Sequence, residues 1–159
     1  MDGVERFVDA QARDLEAAIG ELRAGRKQGH WIWYVFPQLA GLGTSAMSRR
    51  FALAGREEAE DYLQHAGLRD GYARAVDAVA DHMCRLHPPR LDELMGGQID
   101  AVKLVSSLTL FESVADGLAA RTGDPRMASL AERIGEVLAH AESQGYERCA
   151  FTLTQLATA

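Results

Sequence analysis

Residues 68–89 read LRDGYARAVDAVADHMCRLHPP. Leu68, Tyr72, Val76, Val79, Met83 and Leu86 recur there three and four residues apart. That period lays the apolar side chains along one stripe of an α-helix. Pro88-Pro89 stops the helix, because proline has no N–H to donate and crowds the preceding turn. Upstream, Glu57 to His65 reads as a shorter helix with Ala59, Tyr62 and Leu63 inward, broken by Gly67.

The same period recurs on both sides. Phe7, Val8, Gln11, Leu15, Ala18, Ile19 and Leu22 mark a first helix, with Asp2 as its N-cap and Gly25 as the residue past its end. Leu91 to Met95 predicts one turn closed by Gly96-Gly97. Asp100 is expected to cap the next helix, whose stripe is Leu104, Leu108, Phe111, Ala115 and Leu118 up to Gly123. Asp124-Pro125 starts another, with a capping carboxylate and proline at the first helical position. Its inward residues are Met127, Leu130, Ile134, Val137, Leu138 and Ala141, and Gly145 closes it. From Cys149 on, Phe151 and Leu153 alternate with Thr152 and Thr154, which suits a strand as well as a frayed helix.

Four long amphipathic helices and several short ones predict an all-α fold, a single compact domain of about five or six helices over residues 1–159. A chain of this length buries roughly 70% of its unfolded surface, so the core needs no metal or disulfide. Hydrophobic residues make up 47% and charged residues 25%, an ordinary globular balance. The net charge of −6 argues against a broad nucleic-acid surface. Cys84 and Cys149 are far apart, as in a reduced cytoplasmic protein. Met1 to Ala10 carries Asp2, Glu5 and Asp9 in place of a basic, apolar leader, and no apolar run is long enough to span a membrane.

The longest connection, residues 27–45, carries the densest chemistry. Arg26, Lys27 and His30 precede Trp31, Trp33, Tyr34 and Phe36, and Gln38 follows Pro37. Ile32 to Phe36 is a buried strand or a helical turn; period alone does not choose. Thr44 or Ser45 caps a short helix over Met47 to Leu53. Cations beside flat aromatic walls suit a small anionic or nucleotide-like ligand. Gln38 would read a polar edge, and Gly41 and Gly43 would let backbone approach closely. The structural alternative is equally concrete: the tryptophans are core, and Arg26 and Lys27 answer the dipole at a helix C-terminus.

A second polar segment is Asp100 to Phe111. On a helix, Lys103 shares a face with Ser106 and Ser107, and Thr109 follows. A desolvated lysine activates a serine, or holds a phosphate; alternatively these hydroxyls pack against a neighbouring helix. His30 and Lys103 are the best candidates for catalytic groups, His30 because its ordinary pKa lies nearest neutral. His82, Cys84 and His87 do not make a metal site, since His82 and His87 point about 140° apart on one helix. His65 is expected to be a helix-end histidine, favourable there for the dipole, and Glu57, Glu58, Glu60 and Asp61 a solvated face. No cofactor is expected. Whether the protein is an enzyme, and which protein partner it has, stay open at this level.

The order of several of these stretches resembles one family. Phe7-Val8-Asp9-Ala10-Gln11, Glu21 to Lys27, His30 to Gln38, Gly41-Leu42-Gly43, Ser45, Ser48, Glu58-Ala59, Tyr62-Leu63, Asp100, Lys103-Leu104 and Ser106 to Phe111 carry it. The chain resembles the bacterial and fungal "domain of unknown function 1810" family over roughly residues 4–120. The resemblance implies a small, mostly helical domain and no established activity. It maps the characteristic polar positions onto Arg26, Lys27, His30, Gln38, Asp100, Lys103, Ser106, Ser107 and Thr109. Phe51 stands where the family usually has tyrosine, and residues 121–159 are less family-like. The competing functional class is a structural or protein-interaction module without a small-molecule ligand.

Overall fold

A computed structural model describes residues 3–158. Among them are nine helices: α1 Glu5–Arg23, α2 Ile32–Val35, α3 Ala46–Arg50, α4 Arg56–Gln64, α5 Ala66–Met83, α6 Leu91–Leu94, α7 Gln98–Thr122, α8 Pro125–Ser143 and α9 Ala150–Ala157. The all-α expectation holds, but the count of five or six does not. α2, α3 and α6 are single turns, too short to show a period. The tail Cys149 to Ala159, undecided by its alternating pattern, forms α9 through Ala157.

Helix ends follow local chemistry. At the end of α1, Gly25 has φ +96°, its N–H bonds to the Leu22 carbonyl, and Arg26 N–H reaches back to the Glu21 carbonyl. This paired closure turns the chain sharply and satisfies two orphan carbonyls. The proposed cap Asp2 lies outside the described residues; Val4 occupies the N-cap position without a side-chain bond. Asp124 caps α8 by accepting from Arg126 N–H at 2.9 Å, with Pro125 at the first position, as expected.

Four expectations are corrected. Gly67 does not break α4; the break is at His65, whose Nδ1 accepts from Leu68 N–H at 3.2 Å and so caps α5. His65 is thus the helix-end histidine expected, standing at the C-cap of α4 as well. α5 ends at Met83, before Pro88-Pro89, and leaves Leu86 89% exposed beyond the stripe. Asp100 is not the cap of α7: Gly97 is, and Asp100 sits in the first turn. Finally, Glu58 and Glu60 leave the solvated face to pair with Arg6 and Arg121.

One core joins the long helices. α1 packs on α5, and α8 packs on both α5 and α7. α7 also meets α2, α4, α6 and α9. Every residue of α7 from Leu104 to Phe111 is buried, so that stretch of the helix is covered on all sides. Aromatic rings fill the centre: Tyr72 lies 4.6 Å and Tyr62 5.1 Å from Phe111, and Phe7 stands edge-on to Tyr62 at 5.2 Å. The buried Gln11 amide donates to Tyr62 Oη at 2.6 Å and to the Tyr34 carbonyl at 2.8 Å. No helix among the described residues is long and apolar enough to cross a membrane.

Candidate functional site

Two anchors fix the chain after α1. The first is Lys27, which turns inward and is buried. Its N–H donates to the Leu94 carbonyl at 2.8 Å. Its ammonium pairs with Asp100 Oδ2 at 2.8 Å, donates to the Gly29 carbonyl, and lies 4.8 Å from the Trp31 ring centroid. Gly96 must be glycine here: its φ is +76°, and a Cβ would stand 2.7 Å from the Lys27 carbonyl oxygen. The second anchor is Glu21. Its Oε1 accepts from Gln28 N–H and Gly29 N–H at 2.8 Å each and from Trp31 Nε1 at 2.9 Å. Burial opposes the charge, but the N–H donors and the nearby Lys27 hold its carboxyl below the ordinary value.

Held at both ends, the aromatic run becomes the turn α2. Trp31, Ile32, Tyr34, Val35 and Phe36 are buried. For them the core reading is correct. Trp33 differs. It is half-buried, Lys103 Nζ stands 5.3 Å from its ring centroid, and its buried Nε1 has no hydrogen-bond partner among the described residues. Beyond Pro37, Leu53 N–H donates to the Gln38 carbonyl at 3.0 Å and Ala40 N–H to the Leu53 carbonyl at 2.9 Å. This short parallel bridge brings Gln38 beside α3, where Ser45 caps the helix at Ser48 N–H. A Cβ on Gly43 would overlap the Ser48 side chain, and one on Gly41 would press on Phe151. Both glycines thus permit close packing within the protein.

The result is a tight cleft of about 10 Å3 lined by Trp33, Gln38, Ser48, Phe51 and Lys103 among others. Gln38 and Lys103 also line an adjoining groove of about 380 Å3, with Leu42, Gln98, Ile99, Val102 and Ser106. Gln98, Val102 and Ser106 in turn border a hollow of about 510 Å3 that reaches Arg90, Tyr146 and Cys149. The first turns of α7 form the common wall of the groove and the hollow. Lys103 has no ion pair with any described carboxylate, whereas Lys27 is fully engaged.

The two polar segments therefore meet, at Lys27–Asp100 and at Lys103–Trp33. The structure brings Trp33, Gln38 and Lys103 together, with Ser106 at the groove. It does not bring in the others. Ser107 is buried, its hydroxyl 2.9 Å from Tyr72 Oη. Thr109 donates to the Val105 carbonyl at 2.7 Å and accepts from Cys149 N–H at 3.1 Å. Ser106 donates to the Val102 carbonyl at 3.1 Å, so neither serine is hydrogen-bonded to Lys103. Arg26 and His30 are exposed and line neither cleft nor groove. Among the described residues their side chains make no ion pair or hydrogen bond. Trp31 and Lys27 belong to the anchor. His82, read for a metal, is buried with Nε2 3.0 Å from the Arg23 carbonyl oxygen.

Sequence reasoning gave Ser48 no chemical role and missed Leu42, Ile99, Val102 and Cys149. Ile99 and Val102 had a visible signal: they lie off the inward stripe of α7 and are 75% and 49% exposed. Cys149 stands at the N-cap of α9. Burial opposes its ionisation, but the Thr152 and Phe151 N–H groups in the first turn of α9 help bring the thiol below its ordinary value. Burial instead pushes the Cys84 thiol up.

Comparison with curated proteins gives no match. Among solved structures, the chain is similar to the crystal structure of the conserved hypothetical protein Rv1873 from Mycobacterium tuberculosis. The two are 35% identical with a TM-score of 0.78, over 97% of this chain and 96% of that one. The family model described as "Protein of unknown function (DUF1810)" matches residues 1–122, ending where α7 ends. With that match over most of its length, the chain belongs to the DUF1810 family.

Proposed function

We propose that the protein binds a small anionic ligand in the cleft between Trp33 and Lys103. The observation that carries the reading is a pair of donors without an acceptor. Among the described residues Trp33 Nε1 is buried and unpartnered, and the Lys103 ammonium beside that ring pairs with no carboxylate. A buried N–H left unsatisfied costs about 1–3 kcal/mol, so an acceptor arriving there recovers that cost. Gln38 and Ser48 add polar edges on the same cleft. The role assigned is binding, with no reaction step. Both cysteines are unpaired, which fits a reducing compartment such as the cytoplasm.

Thermal-shift screening of small carboxylates, phosphates and nucleotides, wild type against Lys103→Ala, tests the reading. A ligand that raises the midpoint of the wild type and not of the variant supports it. Equal shifts in both proteins refute it. The interaction-module reading draws on Ile99, Val102, Phe151 and Leu153, which are exposed apolar side chains on α7 and α9. It expects Ile99→Ser to abolish self-association or partner capture while leaving every small-molecule shift unchanged.

A further inference from the structure

We propose that the ligand is a monocarboxylate carried on an apolar body, its carboxylate in the Trp33–Lys103 cleft and its body in the groove beside Leu42, Ile99 and Val102. This rests on the cleft being an anion site, and three observations narrow the class.

The first is size. A cleft of about 10 Å3 is one water-sized space. One oxygen of a flat carboxylate enters it. A tetrahedral phosphate places one oxygen there too but leaves three outside, where a carboxylate leaves one. The second is charge. Lys103 is the one basic residue among the described residues that line cleft and groove. One ammonium matches one negative charge. A nucleotide would bring two or more and find no second cation. The neutral donors, Trp33 Nε1–H and the Gln38 amide, suit the remaining lone pairs of a carboxylate. Ser45 Oγ and Ser48 Oγ lie 3.0 Å apart, so one of these hydroxyls still has a proton to offer.

The third is the groove. At about 380 Å3 it is of small-molecule size. Leu42, Ile99 and Val102 give it aliphatic walls, and Ile99 and Val102 lie three residues apart on one face of α7. Most of that apolar surface is open to solvent. A sugar or a base with polar edges would leave it uncovered, whereas an alkyl or aliphatic body removes it from water. Gln38 and Lys103 line both spaces, so head and body sites are continuous.

The test is calorimetric titration of the intact protein with octanoate, acetate, octan-1-ol, octyl phosphate and ATP. Octanoate is expected to bind at least tenfold more tightly than acetate or octan-1-ol. Lys103→Met should weaken octanoate at least tenfold, and Val102→Ser should weaken octanoate while leaving acetate unchanged. If Lys103→Met does not fold, as judged by circular dichroism, Trp33→Phe replaces it, with the same loss expected. A blocked dipeptide ending in a free carboxylate on valine is a further arm. Its binding in place of octanoate supports the carboxylate chemistry and assigns its source to a chain terminus. Octyl phosphate or ATP binding through Lys103 while octanoate stays silent overturns the ligand class and leaves the anion site standing. No heat from any of the anions, or the same affinities in Lys103→Met, overturns both. Octanoate binding that ignores Val102→Ser removes the groove from the proposal.

Discussion

Replacing Asp100 by asparagine should harm this protein more than removing the lysine it serves. Lys27 has a side chain only 5% exposed, against 24% for Asp100. Asp100→Asn keeps an acceptor oxygen but removes the negative charge paired with this interior ammonium, leaving neutral partners, the amide, the Gly29 carbonyl and the Trp31 face. Removing one member of a buried pair costs about 3–5 kcal/mol. Water reaches the Asp100 side of this pair and screens it, which brings the cost below that range, to about 2–3 kcal/mol. Lys27→Met deletes the desolvated charge itself. The carboxylate left behind is partly hydrated and sits in the first turn of α7, where the helix dipole favours it. The expected cost is about 1 kcal/mol, from the lost bond to Gly29 and the lost contact with Trp31. At about 2–4 °C per kcal/mol for a domain of this size, Asp100→Asn lowers the melting midpoint by about 4–12 °C and Lys27→Met by about 2–4 °C. Urea unfolding at pH 7 with equal m-values, supported by scanning calorimetry, measures both. The double variant should recover part of the Asp100→Asn loss. If Lys27→Met proves as damaging as Asp100→Asn, the ammonium is not the costly partner and the reasoning fails.

Glu21 gives the acid limb of stability. Its folded pKa lies below the ordinary 4.5, so its contribution is complete above that value and is lost as pH falls through the folded one. Glu21→Gln should cost about 1–2 kcal/mol at pH 7 and flatten the decline of the urea midpoint below pH 5, and an unchanged slope would count against the carboxylate as an anchor. Iodoacetamide should modify Cys149 faster than Cys84, with the ratio widening from pH 8.5 to pH 6.5, because the first thiol is lowered and the second raised. Peptide mapping reads both rates, and equal labelling contradicts the arrangement around Cys149. Tyr72→Phe and Ser107→Ala should each cost about 1–2 kcal/mol, and the double variant little more than either, since each removes the same buried bond. Full additivity in that cycle would mean the two hydroxyls do not depend on each other.

Periodicity found the long helices because one stripe of each meets the core, and stop signals such as Gly123 and Asp124-Pro125 act within one turn of chain. It failed where structure is decided from outside the segment. α2 is helical because Glu21 and Lys27 pin the residues before it, and nothing within Ile32 to Phe36 announces those anchors. Asp100 was legible as an N-terminal carboxylate, but its partner lies on another segment, and that pairing decides its role. The site followed the same rule. Residue types at Lys103, Trp33 and Gln38 were suggestive, and their meeting depends on the Leu39–Leu53 bridge and on where α7 crosses α2. Ser107 and Thr109 had the same chemical look as Ser106, and only burial tells them apart.

The burial of α7 on every side from Leu104 to Phe111 bears on how the chain acquires its shape. During synthesis α7 emerges before α8 and α9 exist, and its middle turns, Leu104 to Phe111, lack the cover those helices will give. The closing pieces are specific: Thr109 receives the Cys149 N–H, Glu112 holds the Arg148 guanidinium at 2.9 Å, and Phe151 lies over Gly41. A nascent chain ending at Thr122 thus carries most of the core and cannot finish it. The last helices act as a latch that arrives late. Until they dock, α7 is the segment most in need of protection from neighbouring chains.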